Sequence, residues 1–565
     1  MDKDPELFNI SKHRRIPHIR LYKAYHTEDQ PPTNMGSIED FTSSTSGTTS
    51  YISTLSDVAL KDPIFSDEVI QYHLSLLKPG NGGEVVSDES VYSPIISSSV
   101  LAYHAKLAKE RDNPKIPQFG LLAGSSPLLQ NIHPKKASLG SLDEDPRLLF
   151  NVSHPSSIFI CGSQGSGKSH TLSCLLESCL ISSKAGRLPN PLTGLVFHYD
   201  TFISDTMGSP CEAAFLSSHS DVQVRVLCSP TNLHSMRGCY SRFNIPVEPL
   251  QLDQNHLNTK RMMDLMAVAQ NEGQIPLYIH TVKRVLRDLR IKQQESGTPF
   301  NYQEFKDAIL RSGLTRDQMA PLKQRLDTLE SFMPHEQVDI YKPKKRNVAK
   351  GSIWDPVPGR LTIVDMSCPC ISPETACSLF NICLGIFLEQ DPTIGRVVAL
   401  DEAHKYMNLS AEAQTFTETL LSAVRLQRHL GTRVIISTQE PTVSTALLNL
   451  CSVTIVHRFT SPEWLRTLQK HLAAAASNPF SSKSGSGNSS SEMGEQGAEA
   501  DSTSAFDDIV RLRVGEALLF APSAIVNVGA REDGRVEFHR LGSDFLPIKV
   551  RERLTSDGGK SVLSV

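Results

Sequence analysis

Eight residues, Gly162-Ser163-Gln164-Gly165-Ser166-Gly167-Lys168-Ser169, limit most severely what this chain can fold into. They fit G-x-x-x-x-G-K-[ST], a phosphate-binding loop, which functions only between a buried strand and a helix. The flanks supply both. Residues 157–161 are a short apolar run that reads as a buried parallel strand, and beyond the loop Leu172, Leu175, Leu176 and Leu180 share one helical face. Glycines let backbone N–H groups turn inward around phosphate oxygens, and the helix start adds its positive dipole end. Lys168 would reach the β- and γ-phosphates, and Ser169 would hold Mg2+. The candidate ATP-binding segment is therefore Gly162 through to His170.

The rest of the chain supplies a sheet for such a loop. Residues 194–200, 222–227, 360–365, 396–400, 432–438 and 453–458 read as buried strands alternating with helical stretches. That alternation implies an α/β fold with a doubly wound, mostly parallel sheet. Residues 255–335 instead carry helical spacing, with Met262, Leu265 and Met266, then Val282, Val285, Leu286 and Leu289, then Leu322, Leu326 and Leu329. They read as a helical insertion, with Lys283, Arg284, Arg287, Arg290 and Lys292 giving one helix a basic face. The expected organisation is an N-terminal accessory region over 1–145, partly disordered, and an ATPase domain over 146–550. The domain includes the insertion and a low-complexity loop at 473–505, and a tail follows at 551–565.

Residues 397–400 lead into Asp401-Glu402, an apolar strand ending in paired acids. Opposite a phosphate loop, Asp401 would hold the Mg2+ shell and Glu402 would act as general base on the attacking water. Gln439 ends the strand formed by 434–438, where ligands of parallel sheets bind, and is placed to sense the γ-phosphate or the water. Asp401-Glu402-Ala403-His404 also spells a helicase box. In such helicases a Ser-Ala-Thr type motif follows, but Ser437-Thr438-Gln439 stands there, and the arginine-rich Gln-x-x-Gly-Arg-x-Gly-Arg motif is missing.

Composition bounds the rest. At 565 residues with a net charge of −4, the chain is long enough for several domains and has no global basic field drawing it to nucleic acid. DNA contact would need local patches, such as Lys342, Lys344, Lys345, Arg346 and Lys350, or the pore of a multimer. No run of 18 apolar residues exists, so no membrane span is expected. Eleven scattered cysteines suit a reducing, intracellular compartment, nuclear or cytoplasmic.

Taken in order, these pieces resemble the HerA/FtsK superfamily of ring-forming ATPases, in particular its HerA-like and conjugative-secretion members. The resemblance rests on G-S-Q-G-S-G-K-S-H-T, L-T-I-V-D-M-S, V-V-A-L-D-E-A-H-K-Y-M, R-L-Q-R-H-L-G-T-R-V-I-I-S-T-Q-E-P, V-H-R-F-T-S-P-E and V-G-E-A-L-L-F. It implies a RecA-like core, ATP hydrolysis between subunits of a homo-oligomeric, hexameric ring, and double-stranded DNA as partner. It also implies an arginine finger from a neighbouring subunit, for which Arg458 is the first candidate and Arg425 and Arg428 are weaker ones. Two uses of such a site stay open: a DNA-translocating motor, or a slow nucleotide-dependent switch that binds protein partners.

Overall fold

The computed structural model describes residues 90–111, 116–130, 144–201, 208–266, 277–338, 350–441, 443–472, 506–530 and 536–558. These fall within one compact unit spanning 80–565. The 473–505 loop, the basic patch at 342–346 and most of region 1–145 lie outside the described residues.

Sixteen strands among the described residues join in one sheet. In chain order they are β1 (Ile95–Ser97), β2 (Phe119–Ser125), β3 (Arg147–Asn151), β4 (Ser157–Cys161), β5 (Gly186–Arg187), β6 (Thr193–His198), β7 (Gln223–Cys228) and β8 (Val247–Pro249). There follow β9 (Arg360–Asp365), β10 (Arg396–Leu400), β11 (Thr432–Thr438), β12 (Val453–Val456), β13 (Glu516–Phe520), β14 (Ile525–Ala530), β15 (Val536–Arg540) and β16 (Leu546–Val550). The order β12-β4-β11-β10-β6-β9-β7-β8 is parallel throughout. This is the doubly wound α/β sheet expected from the alternation of strands and helices, with β11 inserted between the strand before the phosphate loop and the strand before the paired acids.

On its β12 side the sheet turns antiparallel. β13 pairs with β12, β16 with β13, β2 with β16, and β3 with β2. β1 and β2, drawn from the region assigned to the accessory part, are thus continuous through β3 and β16 with the rest of the sheet, including strands from the far end of the chain.

Side chains alternate between two cores because successive strand residues point to opposite faces. Phe159, Cys161, Phe197, Leu400 and Ile436 face one core, which carries the helical block. Ile158, Ile160, Val196, Ala399 and Ile435 face the other. In chain order, the helices that matter here begin with α1 (Lys168–Leu180) on the second face. The insertion supplies α2 (Thr259–Met266), α3 (Leu277–Ser296), α4 (Tyr302–Leu310) and α5 (Arg316–Ser331). After β9 come α6 (Pro373–Leu388) and α7 (Ala411–Arg425). Phe197 meets Phe380 of α6 and Phe416 of α7 at ring-centroid distances of 4.7 and 5.6 Å, which fixes both helices against the centre of the sheet. On α3, Val282, Val285, Leu286 and Leu289 are buried, while Lys283, Arg284, Arg287, Arg290 and Lys292 are exposed.

Candidate functional site

Register sets the site. Cys161 pairs with Thr438, Leu400 with Ile436 and with Phe197, and His198 with Asp365. The residues next in line, Gly162, Gln439 and Asp401, therefore leave the sheet along one edge, at the carboxyl ends of adjacent strands.

The loop there has the backbone its glycines were expected to allow. Gly162, Gly165 and Gly167 have φ of 151°, 72° and 111°. A Cβ on Gly162 would lie 2.7 Å from that of His457, and one on Gly167 would lie 3.1 Å from the backbone nitrogen of Gly515. Gly167 caps α1 without a side-chain hydrogen bond, so the first N–H groups of the helix have no local side chain competing for them. Lys168 is buried and donates from Nζ to the carbonyl of Ser163 at 3.1 Å. Burial depresses its pKa, while the charges of Glu402 and Asp401 act in the opposite direction. An ammonium folded back on its own loop, facing two carboxylates, fits a phosphate group arriving between them. A Lys168→Ala chain is expected to bind ATP at least tenfold more weakly, measured by titration with a fluorescent nucleotide.

Asp401 is buried, and its Oδ2 contacts His198 Nδ1 at 3.2 Å and accepts from Cys211 Sγ at 3.6 Å. The ligand atoms of these three side chains all lie within 4.8 Å of one another. Burial opposes charge on both Asp401 and His198. The imidazole nonetheless holds the Asp401 carboxyl below its usual range, and the neighbouring acids, Asp365 included, hold His198 well above its own. Cys211 stays a thiol, since burial pushes it up to about 12. Tyr240 extends the cluster by donating to Asp365 Oδ2 at 2.6 Å. Asp401 Oδ1 is buried with no hydrogen-bond partner. A carboxylate with one oxygen fixed and the other unpaired fits a hard divalent cation.

Glu402 adopts left-handed backbone, φ 49° and ψ 45°. A non-glycine residue there carries strain that the surroundings must hold, here between buried Asp401 and Ala403. Its Oε2 accepts from Gln439 Nε2 at 3.2 Å and lies 3.4 Å from His404 Nδ1. Lys405 is turned away to Asp200, at 3.2 Å.

The three candidate arginines separate. Ser163 donates from its backbone N and from Oγ to the carbonyl of Arg458, at 2.8 and 2.9 Å, so Arg458 stands beside its own loop. Arg425 and Arg428 are exposed just before β11, at the opposite edge of the sheet. His170 turns from the loop, its Nε2 reaching the Arg551 carbonyl at 2.8 Å.

Sequence reasoning missed three supports of the loop. His198 ends β6 beside the acidic strand, and an ionisable residue closing a buried strand was the available signal. Glu177 is buried inside α1, and His457 is buried between Thr171 Oγ1, 2.9 Å from Nε2, and the Glu516 carbonyl, 3.0 Å from Nδ1. Burial, with the nearby Lys168 charge, pushes His457 down to about 4. A depressed imidazole favours the fold fully above its unfolded value near 6.5, and that contribution is lost as pH falls toward 4. Urea unfolding is therefore expected to show a loss of about 3 kcal/mol between pH 7 and 4 that His457→Asn removes.

A cavity of about 630 Å3 lies elsewhere, between α5 and helices α6 and α7. Its one lining cation, Arg325, is already paired with Glu412 at 3.0 Å, and no phosphate loop borders it. No described helix is long and apolar enough to cross a membrane, and all eleven cysteines are free thiols.

No family model matches the chain, and no curated protein matches it. Among solved structures it is similar to VirB4 of Thermoanaerobacter pseudethanolicus, at 10% identity and a TM-score of 0.41, over 76% of this chain and 96% of that one. It is also similar to B204, the DNA-packaging ATPase of Sulfolobus turreted icosahedral virus, at 11% identity and 0.26, over 68% and 98%. A third is the cytoplasmic domain of the type VII secretion ATPase EccC of Thermomonospora curvata, at 12% identity and 0.27, over 77% of this chain and 29% of that one.

Proposed function

We propose that this chain binds and hydrolyses ATP with Mg2+, and that it works as a HerA/FtsK-type motor acting on DNA in a ring of like subunits. The observation that carries the hydrolytic part is the 3.2 Å contact between Glu402 and Gln439, on neighbouring strands and level with the loop. In this reading the loop N–H groups and Lys168 bind the phosphates. Ser169 and Asp401 would hold Mg2+, which when bound neutralises charge on the phosphates. Glu402 takes the proton of the attacking water, and Gln439 orients Glu402 and reports the γ-phosphate.

Arg458 is proposed to touch the phosphates of its own subunit, since its backbone is bonded to its own loop. A finger directed at a neighbour's nucleotide then falls to Arg425. The exposed basic face of α3 is the proposed DNA-facing surface.

The experiment is phosphate release with and without double-stranded DNA, together with sedimentation in the presence of nucleotide. Faster turnover on DNA and a larger assembly with nucleotide support the motor. ATP turnover that DNA leaves unchanged would overturn the DNA part and leave a nucleotide-driven switch. Absence of turnover under both conditions would overturn the hydrolytic part.

A further inference from the structure

A second concentration of positive charge lies at the far end of the loop strand. Ser156 precedes β4 and Gly162 follows it, so the two are roughly 20 Å apart. Around Ser156 opens a cavity of about 330 Å3, bordered by Tyr92, His154, Gln427, Arg428 and Arg540. Two guanidinium groups border it and no carboxylate does.

The groups are arranged, not merely adjacent. Tyr92 is 55% exposed; the Arg428 guanidinium sits 5.6 Å from its ring centre, and the His154 ring meets it edge-on at 5.3 Å. Ser156 is 1% exposed, borders the cavity, and its hydroxyl has no hydrogen-bond partner. Behind it, buried Arg433 donates to the carbonyls of Val152, Ser153 and Gly431, so its charge is not neutralised by an acid in those contacts. The field shows at His154, where burial first, and then Arg428 and Arg433, push the imidazole down to about 4. At neutral pH that ring is uncharged.

We propose that this cavity is a phosphate-binding site separate from the glycine loop, with Arg428 and Arg540 as the charged donors and the buried Ser156 hydroxyl as a neutral one. Planar guanidinium groups match phosphate oxygens in pairs, and a buried hydroxyl without a partner gains a bond when an oxyanion arrives. The same chemistry is offered by a free phosphate compound and by the backbone of a polynucleotide. The proposal does not depend on hydrolysis at the loop.

The test uses the full chain carrying Lys168→Ala, so that the glycine loop contributes little. Inorganic pyrophosphate and a single-stranded oligonucleotide are titrated separately by calorimetry at low salt. Arg428→Ala and Arg540→Ala, both at exposed positions, are each expected to weaken the bound probe about tenfold, and the pair together more, with circular dichroism unchanged. Pyrophosphate binding that responds to these substitutions identifies a free phosphate compound as the source. An oligonucleotide response without one for pyrophosphate identifies the polynucleotide backbone. No binding of either probe, or binding indifferent to both substitutions, overturns the site.

Discussion

Glu402→Gln is expected to lower ATP turnover about 10^2- to 10^4-fold while leaving nucleotide affinity within a few-fold of the parent chain. The amide is nearly isosteric, and its oxygen can still accept from Gln439 Nε2, so the 3.2 Å contact and the strained backbone beneath it are retained. What is lost is the capacity to take a proton from water. Removing one acid near Lys168 also makes the site slightly more positive, which favours rather than hinders phosphate binding. Phosphate release and a fluorescent-nucleotide titration on the same preparation separate the two quantities. Equal turnover in the two chains would remove Glu402 from the role of base.

The second large effect is on stability. Glu177→Ala is expected to cost about 3–5 kcal/mol, read as a lower urea midpoint with the slope unchanged. Glu177 is fully buried on α1 and accepts from Arg551 Nη1 at 2.7 Å, from the backbone N–H groups of Leu554 and Thr555, and from Thr555 Oγ1 at 2.6 Å. Deleting the carboxylate strands a charge and three donors. Arg551 keeps the carbonyls of Leu121 and Cys174 as partners, so most of the loss falls on residues 554–555. Glu177→Gln, which still accepts, should lose less. A cost below 1 kcal/mol for Glu177→Ala would show that this segment contributes little to holding α1.

The centre of the fold was legible because its signals are local. β4, the glycine loop and α1 are continuous in sequence, and β9, β10, β11 and β12 are each bounded apolar runs. In the antiparallel half β13 was legible through V-G-E-A-L-L-F, but β1, β2 and β16 were not. β1 has three residues, β2 contains two glycines, β16 contains a proline, and each has one partner hundreds of residues away. Such strands carry weak propensity, and pairing alone makes them strands. The paired acids and Gln439 were visible as strand ends. His198, Glu177 and His457 were not, because each acts through a buried neighbour that only the register brings near.

The interleaving of early and late strands has a consequence for synthesis. β16, ending at Val550, lies between β2, ending at Ser125, and β13. On a ribosome adding about 5–20 residues per second, β2 emerges roughly 20–80 s before its partner exists. Throughout that interval its hydrogen-bonding edge toward β16 is open, and an open edge recruits other strands. The growing chain is therefore a natural client for holdase chaperones, and a ribosome stalled before residue 515 would release a product prone to cluster.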